Sequence, residues 1–84
     1  MYEILVSKQA EKDLRRLPPD VFRRILRDIR GLADTPRPPG CRKLSGSESD
    51  YRIRVGEYRV LYELLDDLRQ VKVYRVGHRG DVYR

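Results

Sequence analysis

Three arginines, Arg52, Arg54 and Arg59, flank the dipeptide Gly56-Glu57 within two stretches where apolar and charged residues alternate. Tyr51-Arg52-Ile53-Arg54-Val55 and Tyr58-Arg59-Val60-Leu61-Tyr62 have the period of two that marks half-buried β-strands. A glycine at the first of two central residues suits a type II′ hairpin turn. A two-residue loop pairs Val55 with Tyr58, Arg54 with Arg59, Ile53 with Val60 and Arg52 with Leu61. Alternation then puts Tyr51, Ile53, Val55, Tyr58, Val60 and Tyr62 on one face and the three arginines on the other. Arg54 and Arg59 are directly opposed, an arrangement of like charges that weakens a sheet and that folding does not require. One reading is a set of solvated arginines on an open sheet face. The other is a polyanion site, because guanidinium forks match phosphate oxygens two-point and phosphates would offset the repulsion.

A third strand through Val71 and Val73 adds to the same sheet. If the turn at Asp66-Asp67 preserves parity, Val71 and Val73 face the core while Lys72, Tyr74 and Val76 lie on the arginine side. Beyond it, Gly77-His78-Arg79-Gly80-Asp81-Val82-Tyr83-Arg84 gathers the only histidine, an arginine and a tyrosine. In isolation His78 reads as a surface histidine and Tyr83 as a terminal packing residue. Beside an arginine cluster, both become candidates for proton donation or base stacking. The sequence has no Walker loop, dinucleotide fingerprint, zinc pattern or serine-triad signature. The enzyme classes left need only positioned charge and proton transfer. The lone Cys41 rules out an internal disulfide and a multi-cysteine metal site, so neither metal nor cofactor is expected.

The elements that position these residues are also legible. Tyr2, Ile4 and Val6 alternate in a short N-terminal strand. Ser7 is a plausible N-cap, and Ala10, Leu14 and Leu17 follow at helical spacing until Pro18 stops the helix at about Leu17. Pro19 fits the first turn of a second helix, whose apolar stripe is Phe22, Ile25, Leu26, Ile29, Leu32 and Ala33. Arg23, Arg24, Arg27, Asp28 and Arg30 occupy its other side. Thr35-Pro36-Arg37-Pro38-Pro39-Gly40 is a stiff connection to the strand-forming half. The expectation is an α+β fold: an N-terminal strand, a two-helix hairpin and an antiparallel β-meander.

The 84 residues form one domain, 1–84, with 39% apolar and 38% charged residues and a formal net charge of +6. Arginine supplies most of the positive charge. No apolar run is long enough to span a bilayer and the N-terminus has no signal-peptide pattern, so the expected location is cytoplasmic, with no membrane partner.

The run Tyr51-Arg52-Ile53-Arg54-Val55-Gly56-Glu57-Tyr58-Arg59-Val60-Leu61-Tyr62-Glu63, followed by Val76-Gly77-His78-Arg79 and Asp81-Val82-Tyr83, resembles the RelE/ParE toxin superfamily on its RelE side. The Leu17-Pro18 hairpin and Lys43-Leu44-Ser45-Gly46 fit as well, so the likeness covers essentially the whole chain. It implies a RelE-like fold and the toxin of a type II toxin–antitoxin pair, a ribosome-dependent endoribonuclease that cuts mRNA in the decoding site without a metal. By motif, Arg52, Arg54, Arg59, Arg79 and Tyr83 take the catalytic positions; beside them His78 is a further candidate proton donor, and Lys43 and Lys72 are expected RNA contacts. The implied partners are an acidic, partly disordered RelB-like antitoxin, the ribosome with its message, and operator DNA reached through the antitoxin. Two departures stand out. The best-studied members have lysines where this chain has Arg52 and Arg54, and arginine is a poor general base; the chain is also short of the C-terminal helix some members carry. The rivals are a ParE-like gyrase inhibitor and a non-catalytic partner in an antitoxin–DNA repressor complex.

Overall fold

A computed structural model describes residues 1–80, so Tyr83, expected at the site, lies outside the described residues. The chain runs β1 (Glu3–Val6), α1 (Lys8–Arg15), α2 (Pro19–Gly31), β2 (Arg42–Lys43), β3 (Asp50–Val55), β4 (Tyr58–Leu65) and β5 (Gln70–His78). The strands form one sheet in the order β1-β5-β4-β3-β2, with β1 parallel to β5 and the other pairs antiparallel. This is the α+β arrangement expected from the alternation of helical and strand periods.

Ser7 caps α1, its Oγ accepting from the Ala10 amide at 3.1 Å. The helix ends at Arg15, two residues before the expected Leu17, because the Arg16 and Leu17 amides turn back to the Asp13 and Leu14 carbonyls in a tighter final turn. Pro19 opens α2 as its first helical residue, where a missing amide costs nothing. The apolar faces of both helices cover one side of the sheet. Ala10, Leu14, Ile25, Ile29 and Leu32 pack with Tyr51, Ile53, Val55, Val60, Tyr62, Leu64, Val71, Val73 and Val76. Among the described residues, no helix is long and apolar enough to cross a membrane.

The β3–β4 hairpin has the register expected from its two-residue loop, including Arg54 opposite Arg59. Gly56 has φ +61° while Glu57 is not in the left-handed region, as a type II′ turn requires. A side chain at Gly56 would be strained there and would meet the Arg24 guanidinium at 3.4 Å.

The parity expected along the third strand holds only in part. Leu61 pairs with Arg75 but the next residue, Tyr62, pairs with Val73, so β5 carries one extra residue. This β-bulge inverts the alternation, and Val76, expected on the arginine side, is instead buried in the core at 2% exposure. The cause lies on the other edge of β5. Pairing with β1 runs out at Val73, whose carbonyl accepts from the Ser7 amide. Farther along, Asp13 of α1 accepts from the Val76 amide at 2.9 Å and from Arg75 Nε at 3.1 Å. Asp13 is itself buried. Burial alone would raise its carboxyl pKa, but hydrogen bonds from Val76, Gln9 and Arg75 outweigh it and hold the pKa below its ordinary value.

The proline-rich strap, residues 35–41, is fastened to the sheet by side chains. Tyr62 Oη donates to the Pro36 carbonyl at 2.7 Å. Arg37 donates to Tyr51 Oη at 3.2 Å and to Asp66 Oδ2 at 2.8 Å, and its guanidinium lies over the Tyr51 ring. Tyr2 Oη donates to the same Asp66 at 2.7 Å. Hydrogen bonds from Arg37 and Tyr2 lower the Asp66 pKa. Burial, aided by Cys41 close by, raises that of Tyr62.

Candidate nucleic-acid interface

Residues opposed across a sheet share a face, so the registers map the side of the sheet away from the helices. Across one end run Arg54, Arg59 and Gly77; the next row holds Arg42, Arg52 and Leu61. Arg79 belongs with this end, since it lies two residues past Gly77 and its amide donates to the Glu57 carbonyl of the hairpin turn at 2.9 Å. Three of the expected site residues, Arg52, Arg54 and Arg59, are therefore brought to one end of one face, as the period-two pattern had located them, and Arg79 stands in the turn beside that end.

The other expected residues sit elsewhere. His78 is paired with Tyr58 and meets its ring edge-on at 5.4 Å, while Tyr58 packs against the core, so the imidazole is on the helix-bearing side. Lys43 opposes the buried Tyr51, and it is the neighbouring Arg42 that opposes Arg52. Sequence reasoning passed over Arg42 because two residues of strand carry no period of their own. Lys72 shares the open face but lies in a different row, Leu5–Lys72–Glu63–Asp50. The face is thus polarised: arginines at the hairpin end, two carboxylates and a lysine at the far end. Along β3 the change from Asp50 to Arg54 takes four residues, about 14 Å at strand spacing.

Arg54 is exposed and Arg52 half-buried. Arg52 Nη1 is shielded from solvent and has no hydrogen-bond acceptor among the described residues. A buried unpaired donor costs about 1–3 kcal/mol, and native structures rarely keep one without a reason. A guanidinium awaiting an anionic acceptor is such a reason. The chemistry available here is the binding of phosphate and the stabilisation of added negative charge on it. Proton abstraction is not available from guanidiniums.

The face continues around an edge. β2 pairs with Tyr51 and Arg52, and among the described residues Ile53–Val55 of β3 have no strand neighbour on that side. A groove of about 670 Å³ opens there, lined by Arg27, Asp28, Gly31 and Leu32 from the second helix and its end, by Thr35, Pro38, Pro39 and Gly40 of the strap, and by Arg42, Arg52, Ile53 and Arg54.

Comparison with known proteins agrees with the architecture. The family described as ParE toxin of type II toxin–antitoxin system, parDE, matches residues 4–83. The toxin RelG of Mycobacterium tuberculosis is 33% identical over 99% of this chain and 97% of its own length. The putative toxin RelE1 of Methanocaldococcus jannaschii is 30% identical over 99% and 96%. The archaeal RelE–RelB complex from Pyrococcus horikoshii contains a chain that superposes with a TM-score of 0.84 at 32% identity, covering 95% of this chain and 97% of that one.

Proposed function

The chain belongs to the RelE/ParE superfamily of type II toxin–antitoxin toxins, and from that premise we propose that it is an endoribonuclease that cuts mRNA on the ribosome. The observation that carries this reading is the gathering of Arg52, Arg54 and Arg59 at one end of an open sheet face, two of them directly opposed, with Arg79 in the turn beside that end. Opposed like charges weaken a sheet, and an anionic ligand would offset that cost.

In the reaction the ribose 2′-hydroxyl attacks the adjacent phosphorus. The P–O5′ bond breaks, leaving a 2′,3′-cyclic phosphate and a free 5′-hydroxyl. Phosphorus passes through a pentacovalent state with added charge on its non-bridging oxygens, and fixed guanidiniums already aimed at those oxygens stabilise that state more than the ground state. Arg54 and Arg59 would hold the reacting phosphate, with Arg52 and Arg79 beside it. With no side chain in the cluster able to take a proton near neutral pH, the 2′-hydroxyl proton leaves to water or to an RNA group. Tyr83 is the proposed donor to the departing 5′-oxygen and a surface for base stacking. His78, on the Tyr58 side, is the weaker candidate. So few groups act well only on a substrate bent into position, which is why the ribosome is needed. Lys72, in the row with Glu63, is a peripheral RNA contact, and Lys43 lies at the sheet edge.

Silencing follows from charge. An acidic antitoxin of the RelB kind, folding as it binds, would cover the basic face and link the toxin to operator DNA. The cytoplasm is the compartment in which this function operates. The family name that the chain matches favours a second reading, gyrase inhibition without a catalytic step.

The test is primer extension on one message, free and in a translating extract. Cleavage confined to ribosome-bound message, lost in Arg59→Ala and Arg79→Ala, is the expected result. Efficient cutting of naked RNA, or growth arrest with gyrase inhibited and message intact, would overturn the proposal.

A further inference from the structure

The polarised face limits where an RNA strand can go once its scissile phosphate sits at Arg54 and Arg59. Continuing along the strands would carry its phosphates past Asp50 and Glu63, where like charges repel. Crossing the strands instead takes the backbone past Arg52 and Arg42, over the unpaired edge of β3, and into the groove beside α2. Arg27 stands on the far wall, its side chain 76% exposed with only a loose 3.6 Å contact to Asp28. Four arginines against one aspartate line the groove.

We propose that this groove is a second RNA-binding track, in which Arg42 and Arg27 hold phosphates flanking the cleaved one and the strap's Pro38 and Pro39 offer an apolar shelf to a base. The inference rests on the RNA-cleaving reading above and adds to it the path of the strand, crosswise over the sheet edge. Arg42 and Arg27 touch no reacting atom in this scheme. They act on binding and on the placement of the flanking chain.

The experiment measures binding of a short, fluorescently labelled 2′-O-methyl RNA, which cannot be cleaved, to the full chain over a range of salt concentrations. Each phosphate contact to a single strand contributes about −0.7 to the slope of log K against log salt. Arg27→Ala/Arg42→Ala should therefore flatten the slope by about 1.4, two contacts at that increment. Arg23→Ala/Arg30→Ala removes the same charge from positions that do not line the groove and should change the slope little. All four arginines are exposed, so circular dichroism should show both variants folded. In translating extract, the groove variant should raise KM while leaving kcat near that of the parent.

Equal slopes for the groove and control variants would overturn the proposal. So would a groove variant that binds RNA normally but loses an acidic antitoxin peptide, since the groove would then belong to the protein partner. Arg54→Gln separates this proposal from the reading beneath it. If Arg54→Gln abolishes cleavage while the groove variant behaves like its control, the track alone is wrong. If Arg54→Gln cleaves and binds RNA as the parent does, the catalytic reading falls and the track with it.

Discussion

Replacing Arg54 by glutamine should stabilise the protein while disabling it. Arg54 and Arg59 are register partners on adjacent strands, with β-carbons about 5 Å apart. Guanidiniums splayed to ~7 Å in a water-like dielectric repel by about 0.6 kcal/mol, inside the ~0.2–1 kcal/mol span of cross-strand pairs. The exposure of Arg54 argues for that aqueous value over the several-fold larger one of a protein interior. Glutamine keeps the length and removes the charge. At about 4–8 °C per kcal/mol for a domain of this size, the melting temperature should rise by about 2–5 °C in low salt. The gain should fade toward molar salt, where the screening length shrinks to about 3 Å. Cleavage in a translating extract should drop by about a hundredfold or more, the usual cost of one preorganised charge donor at a developing oxyanion. Thermal melts at two salt concentrations and one cleavage time course suffice. A destabilised variant, a gain insensitive to salt, or unimpaired cleavage would each refute the reasoning.

Asp13→Ala should lower stability by about 2–4 kcal/mol in urea titrations, since it orphans the Val76 amide and removes the carboxylate that pairs with Arg75. Because the folded Asp13 pKa is depressed below 3.8, its contribution is full above that value and is lost as pH falls through the folded one. Parent and Asp13→Asn stabilities should therefore converge below about pH 4. Tyr62→Phe should cost about 1 kcal/mol by removing the bond to the Pro36 carbonyl, and should speed hydrogen exchange at the Cys41 amide, which donates to Pro38. Arg37→Ala should loosen the same strap with little change in global stability, because its partner Asp66 is exposed.

What the sequence disclosed was whatever depends on neighbours along the chain. The arginine hairpin could be read in full because a two-residue turn leaves one register, and its glycine fixes the turn. The helical hairpin followed from Ser7, Pro18 and Pro19. The β5 bulge was hidden because it answers to Asp13, about sixty positions away, and to where β1 stops. Once parity inverts at Tyr74–Arg75, every assignment beyond it changes side. Val76 goes into the core, and His78 leaves the arginine face for Tyr58. The polarity of the open face was equally invisible, since Lys72 counts as one more cation until the register puts it opposite Glu63. The Tyr2–Asp66–Arg37 clamp joins three distant segments and has no local signature.

The parallel pairing of β1 with β5 bears on when the platform under the arginines is complete. Glu3 meets Gln70 across nearly the whole length of the chain, so the frame of the sheet cannot close until its last strand has been made. Contacts this distant are slow to form, whereas the β3–β4 hairpin is local and can form early. At about 5–20 residues added per second, the hairpin arginines are made about one to a few seconds before β5 exists to brace them. A nascent chain interrupted before residue 70 would carry the charges without the rigid platform that aims them. The platform that aims the arginines therefore arrives in one step, when β5 is complete and seated between β1 and β4.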